Sequence, residues 1–151
     1  HSSMHYWGVW HGKEPFENFK KNVGRFMVEY GFQSFPQLST LSKVMNDSSL
    51  YLDSKAMDHR QKSYIGNDLI KTHVNQYFSP PKDFKEFVKL SQKTQAIGLE
   101  IAINSHKNKS PHCMGTLFWQ FNDCWPGPSW SIIDYYGNKK DAYFCVKKAF
   151  K

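Results

Sequence analysis

The chain has 151 residues, 40% hydrophobic and 22% charged, which allows one domain with a real core and argues against disorder. Its net charge is +7, yet the basic residues run no longer than pairs such as Lys20-Lys21, Lys139-Lys140 and Lys147-Lys148, unlike the patch or stripe of a nucleic-acid footprint. No apolar run approaches ~20 residues, so neither nucleic acid nor a membrane is an expected partner.

In chain order, His5 to Trp10 reads as a short strand and its exit loop. Lys13 to Glu17 reads as a helix start with Pro15 in the first turn. Arg25 to Tyr30 is the second predicted strand. Pro36 then opens a helix in which Leu38, Leu41 and Met45 share one face. Asp53 to Lys62 reads as a polar, exposed helix, and Ile65 to Phe78 as another, stopped by Pro80-Pro81. The longest helix is predicted from Asp83 to about Asn104, capped by Asp83 or Ser79, with Phe84, Phe87, Val88, Gln95, Leu99 and Ala102 as its inner stripe. Met114 to Phe121 is the third strand, apolar almost throughout, as a parallel strand buried on both faces should be. A Pro/Gly-rich turn from Trp125 to Pro128 leads to a final helix, Asp141 to Phe150.

Strands alternating with helices define an α/β chain. Three strands cannot close an eight-stranded barrel, which needs ~250 residues. The simplest architecture is the C-terminal part of a (β/α)8 TIM barrel, about its last three strands, filling residues 1–151 as a partial catalytic barrel. The chain opens His1-Ser2-Ser3 with neither an initiator Met nor a signal peptide, and reads as a piece of something longer.

Aromatic content is 17%, implying a heavy aromatic core or aromatic binding surfaces. Cys113, Cys124 and Cys145 lack the spacing of a zinc or redox motif, and their odd number points to buried free thiols. The seven histidines form no metal motif. His5 and His11 straddle Trp7 and Trp10 and are placed to touch a substrate, while His59, His73, His106 and His112 read as surface residues. No metal and no cofactor is expected. Sequons occur at Asn46 and Asn108.

The segment richest in chemistry is Arg25-Phe26-Met27-Val28-Glu29-Tyr30-Gly31-Phe32-Gln33-Ser34-Phe35-Pro36. Glu29 ends a short apolar strand, which is how a barrel enzyme presents a catalytic carboxylate at a strand's C-terminal end. A retaining glycosidase sets such a carboxylate ~5–5.5 Å from a second carboxyl group. The first attacks the anomeric carbon; the second protonates the leaving oxygen and then activates water. Tyr6, on the neighbouring strand, is a candidate donor to hold the charge of Glu29, or else a tyrosine tethered in the core. Trp119 ends the third strand, where an indole plane can pack on the apolar face of a sugar, or simply fill the core. Trp7, Trp10 and Trp125 lie on strand exits with the same two readings. Asn122 and Asp123 suit either sugar hydroxyls or turn backbone groups.

These stretches, with His5 to Lys13, Gly115 to Pro128 and Ser131 to Gly137, resemble the end of the catalytic barrel of the β-mannosidases of glycoside hydrolase family 2. The resemblance implies that Glu29, in its Glu-Tyr-Gly segment, is the nucleophile on the seventh barrel strand. It implies that Trp119 is a sugar platform on the eighth. It also implies a retaining exo-β-mannosidase acting on glycans with terminal β-mannose, and a lysosomal or secreted location. The family's acid/base Glu follows an Asn, whereas Glu14, Glu17, Glu29, Glu86 and Glu100 do not. That residue is therefore expected in the remainder of a parent polypeptide, with this piece inactive alone. Alternatives are another β-glycosidase of the same family, or a non-catalytic aromatic carbohydrate-binding module that keeps Trp119 without needing Glu29.

Overall fold

The computed structural model describes residues 3–151; the opening His1-Ser2, read above as the start of a cut piece, lies outside the described residues. Two strands, β1 (Met4–His5) and β2 (Met27–Glu29), pair in parallel, with Met4 opposite Met27 and His5 opposite Glu29. On its other side β2 meets the third predicted strand, where Thr116 bridges Met27 in parallel. Met27 N donates to Gly115 O, Leu117 N to Met27 O and Trp119 N to Tyr30 O, at 2.7 to 2.9 Å. Glu29 thus sits at the exit of the middle of three parallel segments.

The helices are α1 (Asn18–Lys21), α2 (Leu38–Leu41), α3 (Lys55–Arg60), α4 (Asp68–Tyr77), α5 (Phe84–Asn108) and α6 (Asp141–Ala149). Asp83 caps α5, its carboxylate accepting from the Glu86 N–H at 2.7 Å. α4 ends at Tyr77, shortly before Pro80-Pro81, as expected. α5 is the spine, packing against α1, α4 and α6. Between the strands and α5 lies an aromatic core in which Phe32 meets Trp10 and Phe16 edge-on at 5.1 and 4.9 Å.

Several expectations are corrected. The first strand stops at His5, because residues 7–14 turn back on themselves: His11 N bonds Trp7 O and Glu14 N bonds Gly8 O. The third predicted strand, Met114 to Phe121, is reduced to a single bridge at Thr116 and is not buried on both faces. Met114, Leu117, Trp119 and Phe121 are exposed, since within the described residues nothing covers one side. α3 is not wholly exposed, as Met57 is buried. Gln95 lies on the inner stripe of α5 as a polar clamp rather than an apolar filler. Its Nε2 donates to Phe32 O, Trp130 O and Ser131 O, and its Oε1 accepts from Ser34 Oγ. His73 and His106 are buried, not surface residues. Cys113 is buried, Cys145 is half-buried and Cys124 is exposed, all three as free thiols. No helix among the described residues is long and apolar enough to cross a membrane.

Candidate active site

Strand alternation decides which side chains meet Glu29. Successive residues of an extended segment point to opposite faces, so His5 and Trp7 share a side and Tyr6 takes the other. Trp7 Nε1 donates to Glu29 Oε1 at 2.8 Å. His5 Nε2 lies 4.0 Å from Glu29 Oε2, and the Glu29 side chain remains about a third exposed (32%). One carboxylate oxygen is therefore fixed by a neutral indole donor, and the other faces an exposed imidazole.

Tyr6 does not supply the hydrogen bond expected of it. Its hydroxyl donates to Glu14 Oε2 and accepts from Asn22 Nδ2 at 3.0 Å, while its ring packs edge-on against Phe19 of α1. Burial and the Glu14 carboxylate push the Tyr6 phenol well above its ordinary range, and the Glu14 carboxyl is held below its own, chiefly by the Tyr6 bond. Trp10 is also placed differently from the pocket-lining expectation. It is fully buried, its Nε1 donating to Ser63 Oγ at 3.1 Å and its ring packed on Phe32 and Trp130.

Trp119 stands where its strand ends and is 44% exposed, open enough to meet a ligand. Its main chain is locked to the Glu29 segment. Trp119 N donates to Tyr30 O, and a Cβ built on Gly31 would sit 2.0 Å from Trp119 O. Only glycine permits that approach, which explains the residue after Glu29-Tyr30. The peptide bond between Trp119 and Gln120 is cis.

Asp123 is committed elsewhere: Oδ2 accepts from the hydroxyls of Ser129 and Ser131. Trp125 packs under two cations, Arg60 at 4.7 Å and Lys62 at 4.3 Å, and its Nε1 donates to Arg60 O. Among the other glutamates, Glu17 pairs with Lys20 and Glu86 accepts from Lys82 N. Glu29 alone among the five ends a strand.

Trp130 was not singled out by the sequence, although it walls the site between Trp7 and Trp10 at 6.2 and 5.7 Å. Its position just beyond the Pro/Gly-rich turn gave no periodic signal. A cleft of about 490 Å³ lies between α2, α5 and the start of α6 and excludes Glu29. No group of three or more potential metal ligands occurs among the described residues.

The chain thus places a glutamate at the C-terminal end of a parallel strand. No family model matches the chain. Curated relatives do. β-Mannosidase B of Emericella nidulans is 33% identical over 98% of this chain, and β-mannosidase B of Thermothelomyces thermophilus is 36% identical over 96%. The crystal structure of a β-D-mannosidase from Dictyoglomus thermophilum superposes with a TM-score of 0.94 at 38% identity, covering 98% of the chain. An exo-chitosanase from Amycolatopsis orientalis shares the fold, with a TM-score of 0.71 at 20% identity over 90% of the chain and 18% of its own. The chain is thus homologous to a segment of the β-mannosidases, which are glycoside hydrolases. It spans 18% of the length of each β-mannosidase named here.

Proposed function

We propose that this chain forms the C-terminal part of a (β/α)8 barrel, about its last three strands, in a retaining exo-β-mannosidase. Residues 1–151 carry the nucleophile strand and its successor. The substrate is a glycan ending in non-reducing β-D-mannose. The observation that carries the reading is the Glu29 carboxylate, held at the exit of the middle parallel segment by the Trp7 indole. An acceptor-only anion with one oxygen fixed and the other accessible is what nucleophilic attack on an anomeric carbon requires.

In this mechanism Glu29 attacks the anomeric carbon as the glycosidic bond breaks, forming a mannosyl ester, and water later cleaves that ester. An acid/base carboxyl group must protonate the leaving oxygen and then deprotonate the water. Asp123 is a poor substitute, because two seryl hydroxyls already hold its carboxylate. We assign the acid/base to the remainder of the parent polypeptide, which also covers Met114, Leu117 and Phe121. Trp119 is the wall under the mannose ring. No cofactor enters the scheme. A lysosomal or secreted setting belongs to the same proposal, supported by the exposure of both sequon residues, Asn46 and Asn108.

The test is kinetic. A complete enzyme carrying this segment should hydrolyse an aryl β-mannoside with retention. Glu29→Gln should lower kcat by several orders of magnitude, because the covalent step is lost. Near-normal turnover by that variant rules the assignment out.

A further inference from the structure

A row of aromatic rings runs along the strand exits, from the half-buried Trp7 to the exposed His11 and Tyr64. It starts at Trp7, which holds Glu29. The His11 ring lies edge-on to Trp7 at 5.4 Å between centroids. Tyr64 then stacks on His11 at 5.5 Å and 13° between planes, with its hydroxyl 3.0 Å from His11 Nδ1. Tyr64 is 82% exposed, the most exposed of the large hydrophobic side chains. A tyrosine held by both a ring and a hydrogen bond, yet offering almost all of its surface to solvent, contributes little to the core.

The segment bearing Tyr64 is fixed from both sides. Trp125, beyond the third strand, donates its indole N–H to Arg60 O. The buried Trp10, beyond the first strand, donates to Ser63 Oγ. Ser63 N also donates to Gln61 Oε1 at 2.9 Å. Residues 60–64 therefore form a strap tied to the exits of the two outer strands. A platform built on it is preorganised, so little ordering entropy is lost when a ligand binds.

We propose that Tyr64, braced by His11, is the platform for the second sugar of a β-mannosyl oligosaccharide, on the leaving-group side. The inference rests on the function proposed above. An enzyme that removes a terminal sugar holds that sugar beside Glu29, so the chain beyond it runs outward. Along Trp7, His11 and Tyr64, whose ring centroids are 5.4 and 5.5 Å apart, exposure rises from partial to nearly complete. A pyranose presents an apolar C–H face that packs on the tyrosine ring. The role predicts preference for oligosaccharides over glycosides with a minimal leaving group.

The experiment compares β-1,4-mannotriose with methyl β-mannoside in a complete enzyme carrying this segment, read as the ratio of their kcat/KM values. Tyr64→Ala should lower that ratio about tenfold, as expected when one stacking surface is lost from the leaving-group side only. Tyr64→Trp should preserve or raise it. An unchanged ratio in Tyr64→Ala overturns the proposal. If Tyr64→Ala fails to fold, Tyr64→Trp decides, and a fall in its ratio overturns the proposal equally. A wild-type enzyme that cleaves neither substrate sinks the underlying β-mannosidase reading, and the platform with it.

Discussion

Glu29 rests on an indole, and the choice of donor matters. A tryptophan N–H donates and never accepts, so it can orient a carboxylate that only accepts. Hydrogen bonds to charged groups contribute about 1.5–3 kcal/mol. Trp7→Phe should therefore lower kcat about ten- to hundredfold in a complete enzyme while the ring still packs on His11 and Trp130. Circular dichroism beside steady-state kinetics checks this, and an unaltered kcat would remove Trp7 from the site. Trp119→Ala should lower kcat/KM for β-mannosides with the fold retained; loss of folding instead would make Trp119 a core residue. The sequence placed Glu29 at a strand end and left Tyr6 as either its donor or a core tether, of which the tether holds. Period-two alternation from His5 was enough to prefer Trp7. No local pattern could have paired His11 with Tyr64, because 53 residues separate them.

The exit of β2 is tied to Trp119 by the close approach at Gly31 and to Trp130 and Ser131 by Gln95. Gly31→Ala would drive a methyl group into Trp119 O, 2.0 Å away, and neither backbone can yield cheaply. That variant should lose activity together with thermal stability, as measured by calorimetry. Gln95→Leu keeps the volume but leaves Phe32 O, Ser131 O and the Ser34 hydroxyl without their partner, while Trp130 O keeps its bond from Gln120 N. The cost should be at least about 2 kcal/mol, since buried acceptors left unmade cost about 1–3 kcal/mol each. The end of α4 and the start of α5 were readable because Pro80-Pro81 and the Asp83 cap act locally. Gln95 was not readable as a clamp, since helical periodicity reports which face is inside and not what bonds it makes there. The third strand was overread as doubly buried because its composition suits a sheet whose inner face is covered. Among the described residues that cover is missing.

Across the molecule, two buried cationic groups set the pH response. Burial draws the Lys140 ammonium from 10.5 down to about 8, against the pull of Asp123 and Asp134. Between about pH 8 and 10.5 the unfolded chain holds a proton that the folded chain has released, so stability rises with pH there. The gain is at most about 1.4 kcal/mol per pH unit. His106, buried against Tyr30 with Nδ1 on Thr116, is drawn from 6.5 to about 4. Its contribution is present above pH 6.5 and lost as pH falls through 4, with His73 lowered in the same direction by burial. Thermal midpoints across pH 4–10 should show both limbs. Lys140→Met should flatten the alkaline one and His106→Asn the acid one. The isolated chain should be poorly soluble and inactive on aryl β-mannosides, given Met114, Leu117, Phe121, Phe144 and Phe150 exposed and the Asp123 carboxylate held by two seryl hydroxyls. Purified monomer turning over substrate at the rate of a complete enzyme would overturn that expectation.

The most direct measurement is covalent trapping. A complete enzyme carrying this segment is incubated with a fluorinated β-mannoside that forms the glycosyl ester but hydrolyses slowly, then digested and mapped by mass spectrometry. The account predicts one added mannosyl group on the peptide spanning Phe26 to Phe35, at Glu29. A label on any other carboxylate, or turnover of the reagent with no ester ever formed, would contradict it.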